Sequence, residues 1–159
     1  MPADLPSPWA EFLAEVDEAL TEPVVLHCLG GFVMATHYGL PRPTLDLDYV
    51  EILPSDQRSA LEALAGPGST LAERHGLYFQ YVTVASLPEN YDQRLSSLTA
   101  RHLTRLRLLI LDPYDLALSK LARNHPVDRE DVASLARTLH LDASVLRQLR
   151  RGTPAHHHR

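Results

Sequence analysis

Hydrophobic positions change period along this chain, and the changes mark out its elements. Trp9, Phe12, Leu13, Val16, Ala19 and Leu20 recur at helical spacing. They follow Ser7-Pro8, a pair that suits a helix start, so a first helix is predicted that ends near Glu22-Pro23. Val24 to Leu29 is an unbroken apolar run, the pattern of a buried strand. Gly30-Gly31 interrupts it, and Phe32, Val33, Ala35 and Thr36 open a short helix that stops around Gly39-Leu40-Pro41. Leu45, Leu47, Tyr49, Val50, Ile52 and Leu53 then read as a second strand, closed by Pro54.

Ser55-Asp56 is expected to cap a third helix containing Leu61, Leu64 and Ala65 and ended by Gly66-Pro67-Gly68. A short helix over Leu71 to His75 and a third strand over Leu77 to Ala85 follow, then a loop from Pro88 to Asp92. Leu95 to Leu98 and Leu103 to Leu111 read as two further strands, in hairpin arrangement. Beyond them the pattern turns helical. Asp112-Pro113 starts a helix with Asp115 as its third-position acid, running to about Arg123 before His125-Pro126. Asp128 and Asp142 are expected to start two more. The fold class is therefore α/β (α+β): a small mixed sheet with flanking helices over residues 1–111, a helical part over 112–152 packed on that core, and a disordered tail over 153–159 that contains His156, His157 and His158.

One feature does not suit a buried strand. Asp46 and Asp48 sit two residues apart in the second apolar run, and strand alternation puts both on one face, with Thr44 beside them. Aspartate is a poor strand former, and two like charges side by side repel and lose hydration. A divalent cation is the simplest counter-charge. Mg²⁺ (or Mn²⁺) takes carboxylate oxygens and keeps water and phosphate as its other ligands. The diglycine just upstream lies between a strand and a helix, where backbone N–H groups can approach a phosphate. The alternative is an exposed edge strand with solvated aspartates. Neither G-x-x-x-x-G-K-[ST] nor G-x-G-x-x-G occurs, which speaks against a P-loop or a dinucleotide fold.

With those residues in view, the segment LGGFVMATHYGLPRPTLDLDYVEI resembles the DNA polymerase β-like minimal nucleotidyltransferases, and among them the AbiEii-type toxins and their relatives. The resemblance rests on the diglycine element and on R-x-T-x-D-x-D, here Arg42, Thr44, Asp46 and Asp48. A second block, DPYDLALSKLARNHPVDREDVASL, carries a helical lysine followed by an acid-x-x-acid pair: Lys120, then Asp128 and Asp131. The resemblance implies a nucleotidyltransferase-like fold. It implies metal on Asp46 and Asp48, and nucleotide on Gly30, Gly31, Arg42, Thr44 and Lys120. It further implies that Asp128, and after it Asp131, approaches the metal site or orients Lys120; the local alternative makes Asp128 a helix N-cap and Asp131 the acid that completes a capping box, which is the preferred reading for Asp131. The implied reaction moves a nucleoside monophosphate from a nucleoside triphosphate to a hydroxyl of RNA, such as a tRNA 3′ end, or of protein. A toxin role with a partner antitoxin protein is also implied. The expected third strand has no acid, and Asp92 lies in a loop beyond it, so one or two metals stay open.

Composition narrows the picture. The chain has 159 residues, 45% hydrophobic and 22% charged, which supports a packed core and argues against disorder. A net charge of −5 means any polyanion must meet a local basic patch, and Arg105 and Arg107 share one strand face. Cys28, the only cysteine, is expected to be a small core residue. No signal-peptide pattern or apolar run of membrane-spanning length is visible, so a cytoplasmic protein with no membrane partner is expected. Two other readings remain open. One is a helix-turn-helix DNA-binding module built from 128–139 and 142–151 across the His140-Leu141 turn. The other is a catalytically inactive relative that binds nucleotide without turnover.

Overall fold

The computed structural model of the chain describes residues 5–40, 44–83, 87–98, 103–123 and 126–151. The chain divides into two compact units, Met1–Val82 with Ser96–Ile110, and Thr83–Leu95 with Leu111–Arg159.

The first unit is built on a mixed sheet of five strands: β1 (Val24–Leu29), β2 (Asp46–Leu53), β3 (Tyr78–Tyr81), β4 (Ser96–Leu98) and β5 (Leu106–Ile110). Their order is β3-β2-β1-β5-β4. The apolar run of β1 takes the centre, antiparallel to β2 and parallel to β5. β3 runs parallel to β2, and β4 forms the antiparallel edge beside β5. The helices of this unit are α1 (Trp9–Ala19), α2 (Gly31–Thr36), α3 (Arg58–Ala65) and α4 (Thr70–His75).

Strand register sorts the side chains onto two unlike faces. Val24, Leu26 and Cys28 of β1 align with Leu106, Leu108 and Ile110 of β5, and Leu47 of β2 aligns with Phe79 of β3. All are buried, together with Tyr49 and Ile52. On this face Phe12 packs its ring 5.6 Å from Phe79, and Trp9 lies 4.5 Å from Phe32 of α2. The other face carries Val25, His27, Leu29, Asp46, Asp48, Glu51, Tyr78, Gln80 and Arg107. An irregularity keeps this division intact. Cys28 pairs with Tyr49 but His27 pairs with Glu51, so Val50 is the extra residue of a bulge. The shift by one returns Ile52 to the packed face and leaves Glu51 on the polar one.

The expected elements of this unit are present, with local corrections. Ser55 and Asp56 do not cap α3; they form a 3-10 turn with Gln57, and no side chain caps the helix. Ser69 does cap α4, its Oγ accepting from the Ala72 N–H at 3.1 Å, and Gly76 ends that helix at φ +70°. Cys28 is buried as expected, with burial and then the charge of Asp48 pushing its thiol pKa upward.

Asp17 of α1 is a contact that alternation alone does not reveal. Its buried carboxylate accepts from the backbone N–H groups of Thr104, Arg105 and Leu106 at 3.0, 2.7 and 2.7 Å, and from the Thr104 hydroxyl at 3.2 Å. The turn into β5 is thus fixed to α1. Burial alone would raise the Asp17 pKa, but the three N–H groups and the hydroxyl outweigh it and hold the carboxyl below its ordinary value.

The second unit contains α5 (Pro113–Arg123), α6 (Pro126–Leu139) and α7 (Ala143–Arg151), with a 3-10 turn at Tyr91–Arg94 where a plain loop was expected to reach Asp92. Asp112 starts α5 as expected, its Oδ1 accepting from the Tyr114 N–H at 2.9 Å. Asp115 is not a capping acid. It is fully buried and receives a two-pronged contact from Arg94, at 2.9 and 2.7 Å, which fastens the 3-10 turn to α5. Burial raises the Asp115 pKa against the lowering pull of Arg94. Asp142 caps α7, its Oδ1 accepting from Ser144 N at 2.8 Å, and the turn before it passes through His140 at φ +53°. Among the described residues no helix is long and apolar enough to cross a membrane.

Asp17→Asn is expected to cost about 2–4 kcal/mol at neutral pH, the scale of several charge-assisted bonds to buried N–H groups. Because folding lowers this pKa, the native state holds the Asp17 proton more weakly than the unfolded chain does. The stabilisation is complete above about pH 4 and fades as the pH falls through the lower native value. Denaturant melts of both proteins from pH 7 downward should therefore converge in strong acid, and a gap that stays constant across that range refutes the assignment.

Candidate active site

The polar sheet face becomes a site where β1 ends and β2 begins. β1 runs into Gly30-Gly31, and its last residue, Leu29, pairs with Asp48 across the antiparallel ladder. The diglycine bend and the second aspartate are therefore brought together by the sheet register itself. Gly30 has φ +87° and ψ −164°, a conformation that L side chains rarely adopt. A Cβ built on Gly30 would lie 2.6 Å from Asp48 Oδ2 and 3.3 Å from Asp48 Cγ. The carboxylate thus rests directly on a bare Cα. Beyond it, Met34 N–H donates to Gly30 O at 3.1 Å, closing the first turn of α2. The N–H groups that precede it in that turn have no acceptor within the helix.

Asp46 is one residue pair further along the same face. The Thr44 hydroxyl donates to Asp46 O at 3.0 Å and lies 3.4 Å from its Oδ1, so Thr44 braces the start of β2. Both aspartates are half-buried. Pairing with β3 puts Tyr78 beside Asp46 and Gln80 beside Asp48. The neighbour of Asp48 is therefore a neutral amide, and among the described residues no group of three or more histidine, cysteine or acidic side chains could hold a metal ion. Two half-buried carboxylates on one strand face suit Mg²⁺, which takes one or two such ligands and completes its shell with water and phosphate. His37 stacks edge-on against the Tyr38 ring at 4.8 Å, and burial lowers its pKa.

Arg42 lies outside the described residues, as does the side chain of Asp128. The backbone nevertheless corrects one expectation: α6 begins at Pro126, so Asp128 is the third helical residue and not the cap. Lys120 is in the second unit, on α5, and nearly buried. Its Nζ donates to Asp131 Oδ2 at 3.0 Å. Asp131, for which a capping role was preferred, is instead an ion-pair partner of Lys120, one helix away, as the resemblance also allowed. Gln80, Tyr78 and His27 were also missed as neighbours on the face of the aspartates, because only strand order reveals them.

A five-stranded mixed sheet flanked by helices, with a D-x-D strand against a diglycine bend, is consistent with a nucleotidyltransferase-like fold. The chain belongs to the family described as "Nucleotidyltransferase of unknown function (DUF6036)", which matches residues 10–155. No curated protein and no solved structure gives a significant match.

Two stability experiments probe this arrangement. Gly30→Ala is expected to cost about 2–4 kcal/mol, combining a forbidden backbone region with a carboxylate that must move. Gly39→Ala, at φ +74° but with open space around it, should cost only about 1 kcal/mol. Equal losses in chemical denaturation would contradict the close approach. Asp131→Ala should cost about 1.5–3 kcal/mol in the same denaturation experiment, the scale of one charge-assisted bond to the ammonium of Lys120.

Proposed function

We propose that the protein transfers a nucleoside monophosphate from a nucleoside triphosphate to an acceptor hydroxyl, on RNA or on protein. The observation that carries this reading is the Asp48 carboxylate seated on the Cα of Gly30, because it puts a hard oxygen ligand beside the glycine bend that opens α2. The family relationship supports the class of reaction.

In this reading Asp46 and Asp48 hold Mg²⁺ or Mn²⁺, which when bound offsets charge on the triphosphate. Thr44 keeps Asp46 in place. The N–H groups at Gly30 and Gly31 take phosphate oxygens, and Arg42 joins them as a bidentate donor. Lys120, steadied by Asp131, is assigned to charge on the leaving pyrophosphate, with Asp128 as a further acid of the same machinery. The acceptor oxygen forms a bond to the α-phosphorus as the bond from that phosphorus to pyrophosphate breaks, and the acceptor proton leaves to a carboxylate or to water. A toxin role, a partner antitoxin and a cytoplasmic setting extend the same reading.

The experiment is transfer of label from α-³²P-labelled ATP, CTP, GTP or UTP to total RNA or protein with Mg²⁺. Asp48→Asn should lower transfer at least about a thousandfold, on the scale of losing a catalytic electrostatic group. Labelling by Asp48→Asn at the wild-type rate would refute the role. Calorimetric binding of the nucleotide without product would favour an inactive binder instead.

A further inference from the structure

The polar face of the sheet does not end at the aspartates. Arg107 lies within β5, where alternation puts it on the face of Asp46 and Asp48, and Arg105 stands in the bend that leads into the strand, two residues earlier. Both side chains are exposed, and among the described residues neither guanidinium has an ion-pair partner. They are also held firmly. Asp17 grips the N–H groups of Thr104, Arg105 and Leu106, and Val24 N–H donates to Arg105 O at 2.9 Å. The two arginines therefore project from a fixed backbone, two residues apart.

Register gives their place relative to the aspartates. Arg107 pairs with Val25, and Asp48 pairs with Leu29 four residues further along β1. Two strand spacings across and four residues along amount to about 16 Å between the two α-carbons. That is too far for an arginine to touch a triphosphate held at the aspartates. It matches a chain of phosphates approaching from the opposite end of the sheet. Glu51 stands on the same face, its Oε1 accepting from the Ile52 N–H at 3.0 Å, and marks the acidic side of the boundary.

Resting on the transferase reading, we infer that Arg105 and Arg107 form the acceptor track, and that its occupant is a single-stranded nucleic acid bound through its phosphates. A chain of net charge −5 needs such a local cationic patch to meet a polyanion at all, and guanidinium groups are suited to bidentate phosphate contact. A neutral protein surface would gain little from them.

The test is fluorescence anisotropy of the full-length chain with a fluorescein-labelled 15-nucleotide oligouridylate, titrated at several NaCl concentrations. Wild type should bind with a steep salt dependence. Arg105→Ala/Arg107→Ala should bind roughly tenfold or more weakly at low salt, with the log–log salt slope smaller by about 1.4 for two lost phosphate contacts. Arg74→Ala, an exposed arginine of α4 paired with Glu15, should behave as wild type. Wild-type affinity and slope in the double variant, or no oligonucleotide binding by wild type, would overturn the track. Failure of the transferase reading is separable: Asp48→Asn should keep oligonucleotide binding while losing transfer. An active enzyme that labels protein and ignores the arginine pair would sink the track alone.

Discussion

The contact between the Asp48 carboxylate and the bare α-carbon of Gly30 sets the geometry of everything near it. It requires glycine twice over, once for the backbone angle and once for the missing side chain. It also requires that β1 and β2 be antiparallel neighbours in a register that pairs Leu29 with Asp48. A slip by one residue would turn both aspartates into the packed face, where Leu47 and Tyr49 now sit, at the cost of burying two charges. The hydrophobic alternation of β2 therefore protects the site as much as it builds the core.

The bulge at Val50 follows from the same constraint. β2 must present two acids to the polar face near its start and still bury Ile52 near its end. Strict alternation from Asp48 would place Val50 and Ile52 with the aspartates. The extra residue resets the parity, so Ile52 packs against the core and Glu51 stays out. Asp17 does for β5 what the bulge does for β2. By taking three backbone N–H groups it fixes where β5 starts, hence which of its side chains face the core and which face outward.

Much of this was legible in the residues themselves. The apolar runs located β1, β2 and β5, and the conflict of Asp46 and Asp48 with a buried strand located the polar face. Glycine and proline punctuation set the limits of α2, and Asp112 and Asp142 acted as the caps their positions suggest. What stayed hidden depends on partners far apart in the chain. Asp17 meets Thr104 only after the sheet forms, Asp115 meets Arg94 only after the 3-10 turn folds, and Asp131 meets Lys120 only after α5 and α6 pack. Local propensity reads each of these acids as a surface or capping residue, because caps are local and ion pairs are not. The neighbours of the aspartates, Tyr78 and Gln80, were unreadable for a related reason: no local pattern says which strand lies beside β2.

Charge along the polar face runs from acidic to basic. Asp46 and Asp48 stand at the end marked by the diglycine bend, Glu51 further along, and Arg107 and Arg105 at the opposite end, one strand beyond β1. A nucleotide triphosphate is the most concentrated anion in the proposed reaction, and without a cation it would be repelled by the two acids. An acceptor strand carries its charge spread out, one per phosphate, and can lie across arginines with no cation between. In the proposed reaction the face would separate the two anionic partners by what each needs for neutralisation: the nucleotide would lie with the carboxylates and a bound cation, and the acceptor would enter from the β5 side with its reactive hydroxyl leading. The neutral Gln80 beside Asp48 adds no third charge from β3, which would leave the remaining ligand positions of a cation to phosphate and water.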